Sequence, residues 1–430
     1  MSEFFQRNAD IIQARWPSLF DRLIREDSDK VDAVLTEGLG STLTVDGVQL
    51  TSRHDRLAEA RFQAASLPDD SPVLHLYGTG LGDLQAELLR RPSLRHLHVH
   101  ILNGAVFKLV LQLLDQCAWL ADPRVELAYA GDAAEIALPF FALPAELVLA
   151  DDFNAKVRDR LIGEVHLTYN NRNFDVADPA LVALLDQSLP LLQADRDVAE
   201  LFGSRAGEGV LVIATGPTLQ GHLPALRHLR EQPGRPLFIC VDTAYKPLLA
   251  AGIEPDIVVS VDHKIRLHHL PPEASARTAL VYMPMLDVDT LAAWQGPRYA
   301  AYSDSALYDR VRDDIPRGHL FVGGSVIHPA VDLAVKMGVS RITLFGADFA
   351  FPMNRTHTGW NDGDLGPQLA VARHWVLDGH GQRVRTQLNF RGYLIELERF
   401  IARHPEVAFF NTSRAGALIA GARFDQEFCP

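Results

Sequence analysis

Cysteine is scarce in this sequence: three in 430 residues, Cys117, Cys240 and Cys429, all widely spaced. They form no Cys-x-x-Cys zinc pattern and no disulfide framework, and they read as thiols in a reducing compartment. Long apolar runs are missing too. The most apolar stretch, residues 136–145, is too short to span a bilayer and contains Pro139 and Pro144. The N-terminus, MSEFFQRNADIIQARWPSLF, lacks the basic-then-apolar order of a signal peptide. Positive charge is in deficit, with 41 Lys and Arg against 54 Asp and Glu and a formal net charge of −13. That argues against a global polyanion-binding surface and leaves room for a local basic pocket. No Gly-x-x-x-x-Gly-Lys-Ser/Thr loop, internal repeat or low-complexity tract occurs. These absences predict a soluble, cytoplasmic protein with no membrane span and no nucleic-acid partner.

What is present is ample core material: 47% hydrophobic and 22% charged residues. At ~150 residues per domain the length suggests two or three domains. The first thirty residues carry a rough helical stripe of Phe4, Phe5, Ile11, Ile12 and Leu19. Residues 43–50 read as strand–turn–strand about Asp46-Gly47, a strong type I′ signal. Then come a strand, a glycine-rich turn and a helix (SPVLHLYGTGLGDLQAELL), a strand at 94–102, a helix, and an expected strand at 146–153. Residues 175–205 read as largely helical, and the polar segment 203–209 as a linker. Beyond it, apolar runs at 210–216, 236–243, 256–262, 279–284, 319–325, 341–348 and 407–411 suit strands of a parallel sheet covered on both faces.

The polar residues fall at the ends of those runs. Ligands of open parallel sheets bind beyond the carboxyl ends of strands. Here those ends carry Thr215-Gly216, Asp242-Thr243, Asp262-His263, Gly323-Gly324-Ser325, Gly346-Ala347-Asp348 and Asn411-Thr412. Polar turns and helix caps explain some of these; they explain less well why Asp recurs at 242, 262 and 348. In the turn TGPTL, 215–219, Gly216 admits close backbone approach, and the following helix offers N–H groups to a phosphate. Ser325 can cap a helix or donate to a ligand. The loop after residue 348 is long and polar, which favours function over scaffolding. It carries His357, a candidate general base, and Arg355, a candidate anion contact.

The first domain has its own glycine turn. Gly78, Gly80 and Gly82 after a strand resemble the nucleotide loop of S-adenosylmethionine-dependent methyltransferases. Such enzymes usually place an acid at the end of the next strand. Here it reads HVHILNG, so this unit reads as Rossmann-like without a cofactor. His96, His98 and His100 share one face of that strand. Three imidazoles can ligate a metal, but no carboxylate or cysteine accompanies them in sequence. His268-His269 reads as a loop pair.

Residues 209–262 and 322–421 go beyond generic α/β. VLVIATGPTLQGHLPALRHL, FICVDTAYKPLLAAGIEPDIVVSVDHK, GGSVIHPAVDLAVKMGVSRITLFGADFAF and NTSRAGALIAGA resemble the central domain of the motility-associated-factor (Maf) flagellin glycosyltransferases. That domain is itself similar to family 42 sialyltransferases and to archaeal 6-hydroxymethylpterin diphosphokinases. The resemblance implies transfer of a nonulosonic acid, pseudaminic or legionaminic, from its CMP derivative to Ser or Thr of flagellin. It implies no cofactor and no metal; Asp262 and Asp348 stand singly rather than as Asp-x-Asp pairs. By position, Gly216, Pro217 and Thr218 would lie at the nucleotide. Asp242, Thr243, Asp262, Gly324, Ser325 and Asn411 would border the cleft, with Asp348 and His357 as catalytic candidates.

The expectation is therefore two Rossmann-like α/β domains. Residues 1–205 would hold a helix and a non-catalytic Rossmann-like unit, and residues 206–430 a sialyltransferase-like parallel sheet flanked by helices. Two alternatives stay open. One is a pterin diphosphokinase-like Mg-ATP enzyme, with Asp242, Asp262 and Asp348 as metal ligands. The other is a non-catalytic flagellin-binding protein.

Overall fold

The computed structural model describes residues 2–172 and 178–429. Its contacts divide into two units, Met1–His166 and Leu167–Pro430. Both are α/β with parallel sheets.

The first unit opens with the helices Glu3–Arg15 and Pro17–Leu23. The small antiparallel sheet β1 (Ala33–Thr36), β2 (Thr42–Val45) and β3 (Val48–Gln49) follows. Asp46 and Gly47, at φ 46° and 79°, make the turn between β2 and β3, as type I′ geometry requires. The main sheet is β4 (Val73–Tyr77), β5 (His96–Ile101), β6 (Val125–Tyr129) and β7 (Phe140–Ala142), parallel, in the order β6-β5-β4-β7. The strand expected at 146–153 is not there. Pro144 sits at the first turn of a helix, Pro144–Leu149, and the strand lies just ahead, at β7.

The second unit is built on nine parallel strands: β8 (Arg196–Asp197), β9 (Gly209–Ile213), β10 (Leu237–Val241), β11 (Ile257–Ser260), β12 (Ala279–Tyr282), β13 (Arg298–Ala300), β14 (Arg341–Phe345), β17 (Ala408–Asn411) and β18 (Arg423–Phe424). Their order is β18-β17-β14-β9-β10-β11-β12-β13-β8. Between β14 and β17 the chain makes an antiparallel hairpin, β15 (His374–Leu377) and β16 (Arg383–Thr386). Strands β9 to β12 and β14 are buried along most of their length, as their near-continuous apolar sequence requires.

Two sequence expectations change here. The segment 203–209 is not a free linker: Gly203, Arg205 and Gly207 donate their N–H groups to the carbonyls of Lys336, Met337 and Gly338 at 2.8–2.9 Å. Leu185, Leu192 and Val198 belong to the second core, so the division falls well before residue 205. The run 319–325 is not a strand either. It makes one bridge, Tyr302 to His319, because the edge beside β13 is taken by β8. Asp332 then receives the Phe321 N–H at 2.8 Å. Of the expected helix over 175–205, residues 175–177 lie outside the described residues; Pro179–Ala194 is helical.

Candidate functional site

From β9 the chain steps outward through β10 to β13, then returns to lay β14 on the other side of β9. The crevice beyond the carboxyl ends of β9 and β14 is thus a topological switch point. A cleft of about 540 Å³, counting its open mouth, lies there. Its walls include Thr215 and Gly216 after β9, Thr243 after β10, and residues 346–350 after β14. Ser325, Val326 and Ile327 enter it ahead of the helix Ile327–Lys336, Thr356 and His357 from the long loop, and Phe390 and Tyr393 from the helix Leu388–Arg403.

The glycine turn is closed within the chain. Gly216 donates its N–H to the Gly346 carbonyl at 2.9 Å, and Leu219, Gln220 and Gly221 donate theirs back to Gly216, Pro217 and Thr218. Thr218 gives its N–H to Asp348 Oδ2 at 2.8 Å and its hydroxyl to Oδ1 at 2.6 Å. The N–H groups that the sequence reading assigned to a phosphate are therefore engaged. A Cβ on Gly216 would collide with Asp348 Oδ2 and the Gly346 oxygen, so the glycine serves strand-end packing. Asp348 is buried, and burial raises its pKa to about 6 against the pull of Thr218. Gly416 lies close on its other side, and Ala417 N–H donates to its carbonyl at 2.7 Å.

A different turn has N–H groups to spare. Among the described residues, those of Val326 and Ile327 make no hydrogen bond, and both residues line the cleft. Such a helix start favours an anion. Behind it, His328 is buried. Its Nδ1 lies 3.2 Å from the Ser325 nitrogen and 2.9 Å from the Ser325 carbonyl oxygen, and its Nε2 faces the Tyr393 carbonyl at 2.9 Å, with burial lowering its pKa.

The loop that carries His357 is anchored just beyond it. Thr358 donates its N–H to the Thr215 carbonyl at 2.8 Å and its hydroxyl to the Gly216 carbonyl at 2.9 Å. Trp360 donates Nε1 to the Thr243 carbonyl at 2.9 Å. His357 itself is half-buried and makes no hydrogen bond among the described residues; its ring meets the Phe390 ring edge-on at 6.4 Å. Burial lowers its pKa to about 4, so the imidazole is neutral at pH 7.

The sequence candidates separate accordingly. Gly216, Thr243, Ser325, Asp348 and His357 line one cleft. Pro217 and Thr218 stand outside its wall. So does Asp242, which is buried and accepts from Ser260 Oγ at 2.9 Å and Thr243 N–H at 2.7 Å; burial raises its pKa to about 7. Asp262 is half-exposed on its turn and accepts the Lys264 N–H. Gly324 packs on Tyr393, and Asn411 turns to its own loop, accepting the Ser413 N–H at 3.3 Å. Arg355 is exposed. Phe390, Tyr393 and His328 carried no signal in the sequence, because only long-range packing brings them here.

The histidine strand lies in the first unit. His75 of β4 joins it, stacked on His98 at 4.7 Å and 3.2 Å from His100 through Nδ1 and Nε2. Burial lowers His75 to about 4 and His100 to about 3. Among the described residues no three His, Cys, Asp or Glu side chains converge as a metal-binding group, and no helix is long and apolar enough to cross a membrane.

Comparison with known proteins adds three findings. A family profile described as 6-hydroxymethylpterin diphosphokinase MptE-like matches residues 185–354. A solved structure of a Maf glycosyltransferase from Magnetospirillum magneticum AMB-1 is similar at 16% identity and a TM-score of 0.44, covering 99% of this chain and 74% of that one. No curated protein matches.

Proposed function

We propose that the second unit is a cytoplasmic glycosyltransferase that moves a nonulosonic acid from its CMP derivative to a Ser or Thr hydroxyl of flagellin. One observation carries the reading: a neutral, unpaired His357 faces the same switch-point cleft as the free N–H groups of Val326 and Ile327. The resemblance of the segments 209–262 and 322–421 supplies the substrate class. In this mechanism the helix start at Ser325–Ile327 receives the donor phosphate. His357 takes the acceptor hydroxyl proton as the acceptor oxygen bonds to the anomeric carbon. The bond from that carbon to the phosphate oxygen breaks, and CMP leaves with the electron pair. Asp348 and Thr218 hold the two strand ends at the crevice.

The test is calorimetry with CMP, AMP, GMP and ATP, alongside sugar transfer to flagellin followed by intact-mass spectrometry. CMP preference with EDTA-resistant transfer supports the reading. ATP preference without CMP binding sinks it.

The profile match over residues 185–354 favours a second reading, a Mg-ATP diphosphokinase. Its metal would need Asp242, Asp262 and Asp348, yet Asp242 and Asp348 already spend both oxygens on Ser260, Thr243 and Thr218. EDTA would abolish that activity. Flagellin binding with no nucleotide binding would point instead to an adaptor.

A further inference from the structure

The first unit has a switch point of its own. Its order β6-β5-β4-β7 runs outward from β4 through β5 to β6, then returns to β7 on the opposite side of β4. A nucleotide would enter beyond the carboxyl ends of β4 and β7, at the loop holding Gly78, Gly80 and Gly82. That place is filled. The helix Pro144–Leu149, directly after β7, projects Glu146 into it. Glu146 Oε1 accepts the N–H of Thr79 at 2.8 Å, the N–H of Gly80, and the Thr79 hydroxyl at 3.4 Å.

We infer that this glycine-rich loop is an anion-binding nest whose occupant is the chain's own Glu146 carboxyl group, standing where a small external carboxylate or phosphate would otherwise sit.

Four observations carry it. Successive N–H groups of a glycine turn form a concavity suited to an anion, and here two of them converge on one carboxyl oxygen. All three glycines, at φ 102°, 52° and 91°, face protein atoms rather than space for a ligand. A Cβ on Gly78 would lie 3.1 Å from Glu146 Cδ, and one on Gly80 3.1 Å from Leu143 Cδ1; on Gly82 it would meet Gln116 and Trp119. Glu146 is almost wholly buried, and its Oε2 has no partner, nor has Oε1 of the neighbouring Gln85, whose amide donates to the Thr79 carbonyl at 2.6 Å. A buried orphan oxygen is destabilising, so the carboxyl group is kept for the bonds its other oxygen makes. The glycine spacing is thus explained within the chain, by Glu146 and Leu143 at Gly78, by Leu143 at Gly80 and by Gln116 and Trp119 at Gly82, independently of what the second unit does.

The experiment uses the full chain as wild type, Glu146→Gln and Glu146→Ala, with thermal unfolding in chloride or in acetate at equal ionic strength. The Gln variant keeps an acceptor oxygen and should melt near wild type. The Ala variant should melt several degrees lower, and acetate should restore part of the loss while leaving wild type unmoved. Wild type should not be stabilised by S-adenosylmethionine. If the Ala variant does not fold, hydrogen exchange on wild type decides: the Thr79 and Gly80 amides should be protected like those of β4. The inference is overturned by an Ala variant as stable as wild type, by destabilisation that acetate does not relieve, by stabilisation of wild type with S-adenosylmethionine, or by Thr79 and Gly80 exchanging as an open loop.

Discussion

Trp360 and Thr243 are joined across 117 residues by the indole N–H on a main-chain carbonyl, at 2.9 Å. That carbonyl is free because Pro247, four residues further along the helix Asp242–Ala250, has no N–H to give it. The bare Gly359 packs directly on the same proline, which is why no side chain is accommodated there. A helix defect thus becomes the socket for the loop that bears His357.

Trp360→Phe keeps the ring and removes the donor. One hydrogen bond is worth ~1 kcal/mol, so the melting temperature should fall by roughly 2–4 °C. Turnover in the transfer assay should fall further than CMP affinity, which should stay within a few-fold. Full turnover at the lower melting temperature would show that loop position does not matter to the chemistry.

Gly216→Ala should destabilise the second unit by about 1–3 kcal/mol in urea, with or without nucleotide, because its methyl would press on Asp348 and Gly346. Gly221→Ala is the control. It lies in the helix that follows the Gly216 turn, Leu219–Glu231, with nothing near its Cβ, and should be neutral or stabilising by up to ~1 kcal/mol. Equal effects at the two sites would remove the strand-end role assigned to Gly216.

Asp242 has a folded pKa raised to about 7 by burial, above its ordinary 3.8. Its contribution to stability is therefore full below about pH 4 and is lost as pH rises through 7, an effect on the order of 4 kcal/mol. Asp348 acts with the same sign up to about pH 6. Asp242→Asn cannot ionise, so its stability relative to wild type should improve between pH 4.5 and 7.5 on the order of that figure. Urea midpoints at the two pH values measure the difference, and parallel shifts in both proteins would refute it.

His357→Ala should lower sugar transfer by ~10²–10⁴ and leave CMP affinity within a few-fold. Because burial lowers the His357 pKa to about 4, the wild-type rate should stay level from neutral pH down to about pH 5 and fall only nearer 4. A limb centred at an unperturbed imidazole value, ~6.5, would point to another base.

The sequence made some of this legible through particular residues. Strands β9 to β12 and β14 announce themselves as apolar runs because both their faces are covered. Strand β8 is only Arg196 and Asp197, and its place at the sheet edge depends on β13, a hundred residues away. Pro144 marked a helix start two residues ahead of what read as a strand. In the site, Gly216, Asp348 and His357 stood out as strand-end and loop residues. Their meaning did not, since the partner that explains Gly216 lies more than a hundred residues on. Tyr393 and His328 look like ordinary helix residues until the helices Leu388–Arg403 and Ile327–Lys336 pack together.

Thr218 and Asp348 are 130 residues apart, and the carbonyl of Asp348 waits for the N–H of Ala417. The cleft is therefore closed by contacts between segments far apart in the chain. Such contacts repay their loop-closure entropy late, after more local pairings such as β9 with β10. A chain emerging from the ribosome can carry a finished β9–β13 layer and still have no crevice. Ligand affinity should arise in a single step, once the segment around Ala417 has emerged and can fold back onto Asp348.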